Sequence, residues 1–184
     1  MRVISGIARG IQLSSVSGLA TRPTSDRVKE SLFNIIRSQI PNSDFLDLFA
    51  GNGGIGIEAL SRGAKSVVFV DSNPACVQTI KKNLAKTRLA GGEVYVCDVN
   101  RSLQIMSRQG RSFDIIFLDP PYGKGFVQST LKSIEELKLL NQTGIIVAEY
   151  GKKQDISSKT SKIFQVREER YGDTKLGFFA YKEA

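Results

Sequence analysis

The sequence predicts an α/β protein built on a doubly wound, mostly parallel sheet with helices on both faces. Two observations carry this. From Ser43 onward, short runs of β-branched and aromatic residues alternate with segments of helical spacing, and the last two runs meet across Gly172-Asp173 as an antiparallel hairpin. At 184 residues with 41% hydrophobic side chains, the chain has apolar surface enough for the core of one domain.

Composition narrows the class. The 26 Lys and Arg residues outnumber 18 Asp and Glu, a formal net charge of +8 that suits a polyanionic partner such as RNA. Cys76 and Cys97 lie in apolar segments and read as reduced core thiols rather than a disulfide framework. With no His and only these two Cys, no metal site is expected. Met1 to Gly10 lacks the apolar centre of a signal peptide and no apolar run approaches a membrane span, so a soluble cytoplasmic protein without a membrane partner is expected.

In chain order, Arg2-Val3-Ile4 and Ile11-Gln12-Leu13 flank a Gly6 to Gly10 turn and read as a small β-hairpin. It is either an edge hairpin with solvated Arg2 and Arg9 or an appendage that contacts substrate. This predicts an N-terminal extension over residues 1–20 and one domain over 21–184. Pro23 disfavours a helical Arg22, and Thr24 or Ser25 can cap the helix that follows, with Asp26 at the positive end of its dipole. Val28, Leu32, Ile35, Ile36 and Ile40 give that helix a core face, while Arg22, Arg27 and Lys29 cluster at its start, where they could hold RNA phosphates or a cofactor carboxylate.

The centre of the chain is Asp47-Leu48-Phe49-Ala50-Gly51-Asn52-Gly53-Gly54-Ile55-Gly56. It joins the strand Ser43–Leu48 to a helical pattern beginning at Ile55. Gly51, Gly53 and Gly56 spell G-x-G-x-x-G in a strand-to-helix context, where a ligand can approach main-chain N–H groups without meeting a Cβ. A dinucleotide would set its pyrophosphate near Asp47, a like charge. S-adenosylmethionine carries a sulfonium and an ammonium, which an acid at this edge attracts.

The second strand, Ser66–Asp71, ends in an acid placed to receive the ribose hydroxyls of an adenosine cofactor. Asn73-Pro74 opens a helix through Leu89, and the third strand, Glu93–Asp98, ends in an acid that either accepts from an adenine amine or caps the next helix. The fourth strand, Phe113–Leu118, runs into Asp119-Pro120-Pro121-Tyr122 at the same sheet edge. The Asp119 carboxylate and the Pro120 carbonyl match the two hydrogens of an exocyclic amine, and Tyr122 offers a face on which a base stacks. A helix over Gln128–Leu140, a strand over Thr143–Glu149 and the hairpin Ile163–Tyr171 with Leu176–Lys182 complete the pattern. Lys152, Lys153, Lys159 and Lys162 read as a solvated face before the hairpin.

Asp47, Asp71, Asp98 and Asp119 at four successive strand ends, with the glycine turn and an aromatic, are similar to class I methyltransferases. Those enzymes use S-adenosylmethionine on a Rossmann-like, seven-stranded sheet that ends in an antiparallel hairpin. The segments Arg22-Pro-Thr-Ser-Asp-Arg-Val-Lys-Glu-Ser-Leu-Phe-Asn-Ile35, Asp47-Leu-Phe-Ala-Gly51, Glu58-Ala-Leu-Ser-Arg-Gly-Ala64 and Asp119-Pro-Pro-Tyr122 resemble the RsmD family over nearly the whole chain. The resemblance implies methylation of the N2 amine of one guanine in small-subunit (16S) ribosomal RNA, bare or within a partly assembled subunit, by a monomer. It implies catalytic Asp119, Pro120 and Tyr122. It implies cofactor contacts at Asp47, Phe49, Gly51, Asn52, Gly53, Asp71, Ser72, Asp98 and Val99, with S-adenosylhomocysteine as product, and RNA contacts at Arg22, Thr24, Arg27, Pro121 and Tyr122. Asn52, Ser25 and Lys29 depart from the family's usual Ser, Thr and Arg, and the lysine weakens a bidentate grip on phosphate at position 29. Because Asp-Pro-Pro-Tyr also occurs in DNA adenine methyltransferases, adenine N6 is the alternative target. A non-catalytic nucleic-acid-binding protein and an NAD oxidoreductase are further alternatives.

Overall fold

The computed structural model describes residues 1–16, 25–121, 125–156 and 160–182. Seven strands, β1 (Asp44–Leu48), β2 (Ser66–Asp71), β3 (Gly92–Val96), β4 (Phe113–Leu118), β5 (Leu140–Gly151), β6 (Ile163–Tyr171) and β7 (Thr174–Tyr181), form one sheet in the order β3-β2-β1-β4-β5-β7-β6. The first five are parallel, and β7 runs antiparallel to both β5 and β6. The chain starts in the middle of the sheet, winds outward to β3 and then crosses back to β4. The order therefore reverses between β1 and β4, the place where open α/β sheets leave a ligand crevice at their carboxyl edge.

Side-chain alternation divides the core between two faces. Phe45, Val67, Phe69, Ile115, Phe117 and Val147 point to one face, under α1 (Asp26–Ile35), α2 (Gly54–Ser61) and α3 (Pro74–Thr87). Leu46, Leu48, Val68, Val70, Ile116 and Ile146 point to the other, under α4 (Val99–Arg108) and α5 (Phe126–Glu136). Each fully buried side chain of this size contributes about 1.5–3 kcal/mol. The alternation is strict enough that a one-residue slip would expose a whole set.

Element boundaries depart from the sequence expectation where tertiary contacts intervene. Ser25 caps α1, accepting from Val28 N–H at 3.3 Å, but the helix stops at Ile35 and continues as a 3-10 turn over Arg37–Gln39. Pro41 lies just beyond, and Ile36 and Ile40 remain buried although they leave the helix. The helix expected to reach Leu140 ends at Glu136, because Lys138 turns left-handed and Leu139 accepts from Phe113 N–H, so Leu140 becomes the start of β5. At its other end β5 extends to Gly151, paired with Thr174 of β7. Cys76 is buried and Cys97 half-buried, both as free thiols. No helix among the described residues is long and apolar enough to cross a membrane.

The N-terminal hairpin reduces to a single antiparallel bridge, Arg2 to Gln12, closing a loop that docks on α2. Val3, Ala8 and Leu13 enter the same core as α1 and α2, so the segment is packed in rather than appended. Glu58 and Ser61 of α2 hold its backbone. Glu58 accepts from Ile4 N–H and Ser5 N–H at 2.8 and 2.9 Å, while the Ser61 hydroxyl accepts from Ala8 N–H and donates to Ser5 O. Gly6, at φ +83°, passes so close to the Ser61 carbonyl that a Cβ would overlap it.

Candidate active site

Lys29 corrects the expectation of a basic cluster at the start of α1. Its side chain is fully buried, donates to Arg2 O at 2.6 Å and stands 3.4 Å from Glu58, which Arg62 also meets at 2.8 Å. A phosphate cannot reach it. The apolar stem lies on the core face of α1, and the ammonium is satisfied inside, although burial holds its pKa below the usual lysine value against the pull of Glu58. Arg27 is exposed on the first turn of α1 and stays available. Arg22, Thr24, Tyr122 and Lys159 lie outside the described residues. Lys152 forms an ion pair with Asp173, and Lys153 and Lys162 are exposed.

At the crevice, β1 ends in a turn that enters the left-handed region at Phe49 (φ +62°) and again at Gly53 (φ +79°), the residue that precedes α2. A phenylalanine there is strained by about 1–3 kcal/mol, a state that persists only where surroundings enforce it. Its ring packs at 6.1 Å from that of Phe126 at the start of α5, across the gap between β1 and β4. Gly56 serves packing instead, since a Cβ would strike Phe69 and Val67 and push α2 off β2.

The N–H groups of this turn are not offered to a ligand as expected. Gly51 N–H donates to Asp71 at 2.8 Å, Gly53 N–H to Ala50 O at 2.7 Å, Gly54 N–H to the Asn52 side chain at 3.1 Å and Gly56 N–H to Asp47 at 2.9 Å. Each carboxylate has lone pairs left for a ligand. Asp71 also accepts from Asn73 N–H at 2.8 Å, beside an exposed Ser72. The third strand stops at Val96, so Asp98 is not a strand-end residue. Its side chain accepts from Arg101 N–H at 3.0 Å and caps α4, whose first residue is Val99.

Strand register brings the acids together. Asp47 lies between Phe69 and Phe117 on one face, Asp119 follows Leu118 directly, and the paired residue Ala148 places Glu149 beside it on β5. Burial raises the Asp47 carboxyl to about 7, with the charge of Asp71 adding and the Gly56 N–H opposing. Asp119 is raised well above its ordinary range, first by burial and then by the negative charges of Glu149 and Asp47. Pro120 is buried and Pro121 exposed, so the rigid turn presents Asp119, itself only partly covered, at the crevice.

The raised Asp47 pKa makes a stability prediction. Between its unfolded value of 3.8 and about 7, the folded chain keeps a proton that the unfolded chain has lost, so stability falls as pH rises through that window and is flat above it. The loss amounts to up to about 4 kcal/mol. Asp47→Asn keeps an acceptor for Gly56 N–H and is expected to remove the share of this decline that Asp47 contributes, leaving that of the raised Asp119. Denaturant unfolding at pH 5 and pH 8 checks it.

A family model described as Conserved hypothetical protein 95 matches residues 1–180. YlbH of Bacillus subtilis is 41% identical over 180 residues, covering 97% of this chain and 98% of the other. The Haemophilus influenzae protein named Ribosomal RNA small subunit methyltransferase D is 36% identical over 155 residues, covering 83% of this chain and 79% of that one. This chain belongs to the RsmD family. The solved structure of yhhF from Escherichia coli shares the fold with a TM-score of 0.87 and 29% identity, over 100% of this chain and 99% of that one. The RsmD-family motif Glu58-Ala-Leu-Ser-Arg-Gly-Ala64 thereby gains a physical reading, because Glu58, Ser61 and Arg62 form the clasp that receives the N-terminal loop.

Two buried polar positions were given no role by sequence reasoning: Glu58, a wholly buried acid, and Asn83 of α3, a wholly buried amide behind the glycine turn. The available signal was a charged or amide residue on the apolar stripe of its helix, where one without a partner would be costly.

Proposed function

We propose that this RsmD-family protein is an S-adenosylmethionine-dependent methyltransferase that methylates the exocyclic N2 amine of a guanine in 16S ribosomal RNA. One observation carries the reading. Asp47 and Asp71 occupy N–H groups of the glycine turn that a pyrophosphate would need, so the turn presents negative charge to its ligand. That argues against a pyrophosphate on the turn and suits a sulfonium with an ammonium tail. Asp47, Gly51, Asn52 and Gly53 would hold the amino-acid end, and Phe49, Asp71, Ser72, Asp98 and Val99 the adenosine end. When bound, S-adenosylmethionine supplies a methyl carbon made electrophilic by the sulfonium.

The nitrogen lone pair of guanine N2 is delocalised into the ring. Asp119 and the Pro120 carbonyl accept hydrogen bonds from its two hydrogens and draw that lone pair out of conjugation, and Tyr122 holds the base plane. Asp119 takes up the proton that the amine sheds on alkylation, a task its raised proton affinity favours. Positioning and fixed electrostatics supply most of the acceleration. Arg22, Thr24, Arg27 and Pro121 contact the RNA, and the enzyme works in the cytoplasm as a monomer.

Transfer of labelled methyl to small-subunit RNA, bare and partly assembled, followed by nucleoside digestion, tests the proposal. N2-methylguanosine is the expected product. N6-methyladenosine would move the target to adenine, and no transfer to RNA or DNA would leave only a binding protein.

A further inference from the structure

The glycine turn is gripped from outside as well as within. Asn83 donates from Nδ2 to Asn52 O at 2.9 Å and to Ser14 O at 3.0 Å, while its Oδ1 accepts from Ser14 N–H at 2.8 Å. Only one orientation of the amide meets all three partners, since two are carbonyls and one is an N–H. The peptide from Asn52 to Gly53 is trans and planar, so its carbonyl and N–H point in opposite directions. Asn83 holds the carbonyl and Ala50 O takes the N–H, which locks the peptide plane and with it the left-handed Gly53 that starts α2. The N-terminal segment bears on the turn at a second point, where Met1 Sδ lies 3.7 Å from Asn52 Nδ2 and fills the space a Cβ on Gly54 would need.

We propose that Asn83 is a positioning residue for the cofactor turn and that, through it, residues 1–14 are a structural part of the cofactor site. This rests on the reading that S-adenosylmethionine binds at this turn. Without the Nδ2 donor, the carbonyl of Asn52 loses a buried partner and the 52–53 peptide is held at one end only, by the Gly53 N–H to Ala50 O. Asn52 and Gly53 then meet the cofactor in several conformations instead of one. Cofactor affinity falls, while Asp119 and its turn are untouched, so KM for S-adenosylmethionine rises and kcat at saturating cofactor is retained.

The test is calorimetric titration of the full chain with S-adenosylmethionine, with folding confirmed by circular dichroism at the same temperature. Asn83→Ala removes all three of the amide's hydrogen bonds and is expected to weaken binding about tenfold, the worth of the one that bears directly on the turn, to the Asn52 carbonyl. Asn83→Asp keeps the acceptor for Ser14 N–H but lacks the donor, and is expected to weaken binding at least as much. Ser14→Pro removes the Ser14 N–H that Asn83 accepts from, along with the hydroxyl and the freedom of φ at this position, all remote from the glycines, and is expected to weaken binding in the same direction. Combined with Asn83→Ala it is expected to add nothing further. A folded Asn83→Ala or Asn83→Asp variant with unchanged affinity overturns the proposal, and additive effects of the Ser14 and Asn83 changes overturn its N-terminal part. Absence of binding to the unaltered chain would overturn the cofactor reading itself.

Discussion

Asp119→Ala is expected to lower methyl transfer by about 10²–10⁴-fold, the range for removing a positioned acid–base group, while S-adenosylmethionine affinity is retained. Two features separate this from loss of folding. Asp119 is repelled by Glu149 and Asp47, so removing it relieves like-charge strain, and the variant is expected to melt no lower than the unaltered chain. In addition, Asp119 must be ionised to accept from the amine, and its pKa is raised, so the rate of the unaltered enzyme falls as pH drops through that raised value and levels off above it. The positive charge of the cofactor draws the pKa back down, so the acid limb lies lower for kcat than for kcat/KM. Asp119→Asn is expected to lack the limb altogether. Initial rates from pH 5 to pH 9 decide the matter, and an Asp119→Ala enzyme of normal activity would remove the mechanism.

Glu58→Ala is expected to produce the largest loss of stability, about 3–5 kcal/mol, the range for breaking a buried ion pair from one side. Glu58 accepts from two loop N–H groups and from Arg62 and is ion-paired with the buried Lys29, so its removal leaves an uncompensated ammonium and orphaned donors in the core. The exposed pair Lys132 to Glu136 sets the contrast, since breaking it is expected to change stability by less than about 1 kcal/mol. Removing both buried charges, as in Lys29→Met with Glu58→Leu, is expected to cost less than the sum of the single changes, because no lone charge remains. Denaturant unfolding of the three variants measures this. Additive losses would show that Lys29 and Glu58 act independently.

Much of the candidate site was legible from residues because its signals are local. Glycines at a strand-to-helix turn, an acid ending β2 and the Asp-Pro-Pro turn after β4 are each readable within a few positions, since backbone conformation and strand alternation depend on near neighbours. The expectations that failed concern groups whose partners lie far along the chain. Lys29 was read as surface charge, yet its partner is 29 residues away in Glu58. The glycine N–H groups were read as open to a ligand, yet Asp71 and Asp47 take those of Gly51 and Gly56, and Ala50 O and Asn52 take those of Gly53 and Gly54.

The sequence by itself determined the α/β class, the seven strands, the place of the glycine turn and the acids at its edge, because periodicity and turn chemistry act over a handful of residues. Only the tertiary structure decided that β1 and β4 lie side by side, that Glu149 stands beside Asp119, and that Glu58 and Asn83 tie the N-terminal segment to α2 and the turn. Those outcomes depend on which buried polar groups meet across the core, where every donor and charge needs a partner that chain position alone does not name.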